Sequence, residues 1–62
     1  MIVNFYKMHD ESLKSATLLV SKNINYIPQK GTFITFSGQL FTISKICFNV
    51  DNCEYNIYII RL

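Results

Sequence analysis

The chain has 62 residues, a net charge of +2 and a hydrophobic content of 50%. That length allows one domain and that apolar content excludes a disordered chain. Six Lys and Arg against four Asp and Glu, spread along the chain, make neither the dense basic stripe of a nucleic-acid module nor the acidic surface of a DNA mimic.

Sixteen residues are Ile, Val or Thr and nine are Phe or Tyr. These types fit a pleated, half-buried surface. "MIVNFYKM" reads as a first strand and "HDES" as a polar turn. The start of the chain lacks a basic, then apolar, leader pattern, and no apolar run reaches membrane-spanning length. The expected location is the cytoplasm, where cysteines are reduced.

"LKSATLLVSKN" admits two readings. As a strand it alternates Ala16, Leu18 and Val20 against Ser15, Thr17, Leu19 and Ser21. As a helix it starts at Asp10 or Ser12 and places Leu13, Ala16, Leu19 and Val20 on one face. Thr17, Val20 and the serines are weak helix formers, so the strand is preferred. A hairpin across His9–Ser12 follows, with a short helix within residues 11–22 as the alternative.

Pro28 cannot donate to a ladder and ends the preceding element. Gly31 supplies backbone geometry that other residues resist. "TFITF" is a short strand, "SGQ" a tight turn with Gly38 at positive φ, and "LFTISKICFNV" a strand long enough to bend. Asp51–Asn52 makes the next turn and "CEYNIYIIRL" the last strand. The expected fold is all-β: a five-stranded SH3-like barrel or a strongly curled antiparallel meander, in a single domain over residues 1–62.

Pro28-x-x-Gly31, Ile34-x-Phe36-x-Gly38, Phe41-x-Ile43 and the closing "YNIYII" together resemble small β-barrel proteins of bacteriophage and prophage genomes. The resemblance covers residues 26–62. It implies a phage origin and an action by binding and blocking one host protein, such as a host enzyme or a defence complex of the kind that anti-CRISPR proteins target. It carries over no functional residues.

The residues themselves offer no catalytic constellation. His9 is the only histidine and sits with Asp10 and Glu11 in one turn, where consecutive side chains do not converge on a substrate; as a lone His it also lacks co-ligands. Cys47 and Cys53 are too far apart for a C-x-x-C motif. A turn at Asn49–Asp51 would set them across a hairpin within disulfide reach, whereas a turn at Asp51–Asn52 sets them on opposite faces. The second suits the turn chemistry, so both thiols are expected free. Asp10, Glu11, Asp51 and Glu54 read as solvated loop charges. Gly31 and Gly38 do not open a helix and make no phosphate loop. No catalytic, metal or cofactor residue is assigned, and the chain is read as a non-enzyme.

The aromatics carry the functional expectation. If Ile34, Phe36, Tyr55, Ile57 and Ile59 face the core, then Phe33, Tyr58 and Ile60 face out. Rimmed by Lys30 and Arg61, they have the make-up of a protein interface. The expected partner is a larger host protein, or a second copy of the chain in a homo-oligomeric structural component. Aromatics with lysines nearby also suit a small nucleic-acid-binding barrel that stacks bases, which the sparse basic charge disfavours.

Overall fold

The computed structural model describes residues 1–10 and 12–62. Five strands form one sheet: β1 (Ile2–Lys7), β2 (Thr17–Asn23), β3 (Phe33–Phe36), β4 (Gln39–Asn49) and β5 (Glu54–Arg61). Their order is β2-β1-β5-β4-β3. The protein is all-β, a sheet curled into a half-barrel, as its strand-rich sequence and closely spaced turns require. Its accessible surface of 4265 Å² is close to the roughly 4100 Å² of a compact monomer of this mass.

β1 and β2 form an antiparallel hairpin, and β3, β4 and β5 form an antiparallel meander. The two units meet through a parallel pairing of β1 with β5, from Val3 opposite Tyr55 to Lys7 opposite Ile59. The meander alone is antiparallel throughout; the joint at the centre of the sheet is not. A parallel neighbour needs a long crossover, and here everything between β1 and β5 serves as that crossover.

The first connection is longer than the expected His9–Ser12 turn. It runs from Met8 to Ala16 and holds one 3-10 turn, Leu13–Ser15. The Asp10 carboxylate accepts from the Ser12 backbone N–H at 2.7 Å and from the Ser15 hydroxyl at 2.8 Å. The Ser12 hydroxyl accepts from the Lys14 N–H at 3.3 Å. These short polar side chains satisfy the local backbone and stop the strand from starting at Leu13. The Ser12 bond, then the Ser15 bond, holds the Asp10 carboxyl below its ordinary pKa of 3.8. The helical alternative thus survives only as this single turn. From Thr17 the segment is strand. Glu11, read as a solvated turn carboxylate, lies outside the described residues.

The glycines sit where backbone geometry demands them. Phe36 pairs with Gln39, so Ser37 and Gly38 form a two-residue hairpin loop. Their φ angles of 52° and 75° match the primed turn whose twist suits adjoining strands. Gly31, at φ 89°, donates its N–H to the Ile43 carbonyl at 2.9 Å and starts the pairing that β3 continues. The last turn is wider than Asp51–Asn52. It spans Val50 to Cys53, with Cys53 at φ 57°, so Cys53 belongs to the turn and β5 begins at Glu54. Asn49 and Asn52 accept from the backbone N–H groups of Asp51 and Glu54 and fix this loop.

Two bulges produce the curl. Leu19 is the extra residue in β2, between the Phe5–Val20 and Tyr6–Leu18 pairs. Ser44 is the extra residue in β4, between the Ile43–Ile59 and Lys45–Tyr58 pairs. Each bulge bends and twists its strand. The sheet closes over Val3, Phe41, Ile43, Ile57 and Ile59, all at most 1% exposed. Phe5, Leu19, Ile34, Phe36 and Ile46 pack around them.

Two substitutions test this account. Ile57→Ala removes a fully buried side chain and is expected to destabilise the protein by about 2–5 kcal/mol in urea unfolding; a loss under about 1 kcal/mol would remove Ile57 from the core. At Gly38 a Cβ would meet nothing within 4 Å, so only the backbone resists it. Gly38→Ala is expected to cost about 1–2 kcal/mol and Gly38→Asn distinctly less, because Asn tolerates left-handed geometry. Equal losses for the two would refute the backbone explanation.

Candidate functional site

The core residues occupy the inside of the curl, so strand alternation sends their neighbours to the outer face. The register aligns those neighbours into rows across strands. Leu18, Tyr6, Tyr58 and Lys45 form one row across β2, β1, β5 and β4. Ile60, Thr42 and Phe33 form the next, across β5, β4 and β3. Beyond it Leu40 pairs with Thr35, and its carbonyl accepts from the Leu62 N–H at 3.0 Å.

This half of the outer face is apolar and open to solvent. Phe33 is 66% exposed, Leu18 52%, Leu40 46% and Ile60 40%. Tyr6 and Tyr58 are half-buried and stack on each other, with ring centroids 5.2 Å apart and planes 20° apart. The stack comes directly from the parallel pairing, which places Tyr6 opposite Tyr58.

The other half of the same face is polar. Ser21, Asn4 and Asn56 form a row with Cys47. The Asn4 amide donates to Glu54 at 2.9 Å and to Asn56 at 3.0 Å, and its oxygen accepts from the Ser21 hydroxyl. These amides satisfy one another across β2, β1 and β5. The face therefore has a hydrogen-bonded polar end, with Ile2 at its margin, and a largely apolar end that also carries Thr35, Thr42 and Lys45.

Phe33, Tyr58 and Ile60 stand together on this face. Of the two charged residues expected at its rim, Arg61 lies on the opposite side of the sheet. Arg61 lies opposite Phe41, so alternation puts it on the inner side of the sheet, at the open end of the half-barrel. Lys30 lies in the exposed loop before β3. The cation within the aromatic row is Lys45. Tyr6, Leu18, Leu40 and Lys45 were not in the sequence-derived set. The alternation in "NFYKM" marks Tyr6 as outward, but its neighbour Tyr58 is visible only once β1 and β5 are paired.

Elsewhere the polar side chains serve the loops. His9 shares a 2.8 Å hydrogen bond with the Thr17 hydroxyl at the start of β2. Cys47 and Cys53 are both free and exposed. Among the described residues no three His, Cys, Asp or Glu side chains gather, and no helix is long and apolar enough to cross a membrane.

No protein-family model, curated protein or solved structure matches this chain. The face is judged on its own chemistry, and Tyr58 gives it a measurable signal. Burial pushes the Tyr58 phenol above its ordinary 10.0, helped by negative charge on Cys47 and on Tyr6. The folded protein thus favours the neutral phenol. That stability is fully present below pH 10 and is lost as the pH rises through the raised value. Ultraviolet titration of the wild type minus Tyr58→Phe is expected to show a midpoint above 10, and Tyr58→Phe is expected to flatten the alkaline loss of stability. A midpoint at or below 10 would mean that Tyr58 is open to water.

Proposed function

We propose that the protein is a non-enzymatic binding module that docks on a larger protein through the apolar end of its outer face. The observation that carries this reading is the pair of neighbouring rows that hold Leu18, Tyr6 and Tyr58 and, on either side of Thr42, Ile60 and Phe33, with Leu40 beyond them. Single exposed hydrophobics are ordinary on protein surfaces, but a contiguous patch rimmed by polar groups is the mark of an interaction site. Aromatic residues at its centre are the kind that dominate binding energy. The amide ladder beside it supplies the polar rim of such an interface.

The pattern shared with small phage β-barrel proteins supports a host enzyme or a defence complex as the partner, with inhibition by occlusion as the outcome. On this reading the chain performs no chemistry: it presents a rigid face, and the partner's loss of activity is the effect.

Affinity capture from bacterial lysate, with and without nuclease, tests this. One stoichiometric, nuclease-resistant partner is expected. Phe33→Ala and Ile60→Ala should each weaken its capture by about tenfold or more, as truncation of a central anchor does, while unfolding stays cooperative. Recovery only of nuclease-sensitive partners would replace this reading with base stacking on Tyr58 and Phe33. Recovery of the bait alone as a dimer would replace it with self-association.

A further inference from the structure

The half-barrel is open along one seam, between its edge strands β2 and β3. Among the described residues no ladder joins these two strands. A cavity of about 260 Å³ occupies the seam. Phe5 and Ile59 line it from the middle strands, Leu19 from β2, and Ile34 and Phe36 from β3. Thr35 lines it as well. Alternation puts Thr35 on the opposite face of β3 from Ile34 and Phe36. A cavity that touches all three therefore reaches the open edge of the strand, where backbone groups are unpaired.

The direction of those groups follows from the hairpin. A two-residue loop closes on a hydrogen-bonded pair, here Phe36 and Gln39, and alternate residues then point away from the ladder. The N–H and C=O of Thr35 consequently face the seam. The Thr32 carbonyl, three residues earlier, accepts from the Ile43 N–H at 3.0 Å and fits the same alternation.

We propose that this seam receives an extended segment of a partner protein as a sixth strand, apolar at alternate positions and bearing an Asp or Glu opposite Lys22. An unpaired strand edge is satisfied by another extended backbone, and alternate side chains of that strand fall into the apolar cavity. The volume is below the range of about 300–1,000 Å³ typical for small-molecule pockets, which favours a few side chains over a whole ligand. Lys22 is the one charged side chain in the lining, in a chain of net charge +2, so a carboxylate is the complementary group. This surface is separate from the apolar outer face.

Selection of a random peptide display library on the immobilised protein tests the proposal. Enriched peptides are expected to alternate apolar residues and to carry an acidic residue. Thr35→Pro deletes the outward N–H without removing a ladder bond, since proline is tolerated at such edge positions. It is expected to weaken a synthetic copy of the enriched peptide by about tenfold, with the thermal transition retained. Lys22→Glu, at an exposed site, is expected to switch the selection from acidic to basic peptides. Ile60→Ala on the outer face, two strands away from the β3 edge, should leave peptide binding unchanged. Absence of enrichment would overturn the proposal, as would peptides that ignore both Thr35→Pro and Lys22→Glu. Peptides lost on Ile60→Ala alone would assign the binding to the outer face instead. Dimers of the bare protein that Thr35→Pro dissolves would make the occupant a second copy, and would overturn the hetero-partner assignment.

Discussion

A single sheet with no covering helix can bury side chains only by curling over itself. Every other feature of this protein depends on that constraint. The fully buried set comes from β1, β4 and β5, the three strands at the middle of the curl. The parallel contact between β1 and β5 holds these strands together, because it joins a hairpin that is marginal on its own to the three-stranded meander. Val3 and Ile57, both wholly buried, lie on either side of that contact. The two bulges then bring the edge strands round over them. Leu19 and Ser44 flank the row that contains Tyr6 and Tyr58, one on either side of it, where the two units join.

Curling solves the core and leaves two other problems. One is the outer face, which has nothing to pack against. Its polar end is settled by mutual hydrogen bonds among Asn4, Asn56, Glu54 and Ser21. Its apolar end has no such settlement. Among the described residues, eleven large hydrophobics are exposed against six buried. A chain this short has a marginal core, and apolar residues on the outside add little to it. Four of the eleven, Leu18, Phe33, Leu40 and Ile60, gather at this end of the outer face, and they are the core of the docking surface proposed above.

Much of the fold can be read from punctuation. Gly31, Gly38 and the Asp-Asn pair set the turns of the meander, and the alternation of "TFITF" and "YNIYII" sorts their side chains into two faces, of which the packing then chooses the inner one. The length of the segment after Gly38 signals the bend that Ser44 supplies. What the sequence conceals is whatever depends on pairing between distant segments. Nothing local in "NFYKM" states that its neighbour is "YNIYII", or that the two run parallel. The Tyr6–Tyr58 stack was hidden for the same reason. Arg61 shows the related limit: alternation assigns it a face, and that face is the one opposite Ile60. The first connection differs for another reason: Asp10 and Ser12 accept from local backbone N–H groups and the Ser15 hydroxyl donates to the Ser12 carbonyl, so these residues hold a turn where a strand would otherwise start.

The second problem left by curling is the seam. Five strands do not complete a barrel here, and β2 and β3 keep one unpaired edge each. Small β proteins generally protect such edges with charge, proline or a covering loop. This chain uses each device once at the seam: Lys22 on β2, and Pro28 with Tyr26 in the loop beside the cavity. They line the cavity together with its apolar residues. Protection of that kind discourages indiscriminate edge-to-edge pairing while still admitting a strand of matching charge and pattern. The seam and the outer apolar band arise from the same shortage of chain: too few residues to close the barrel, and too small an interior to hold every hydrophobic side chain.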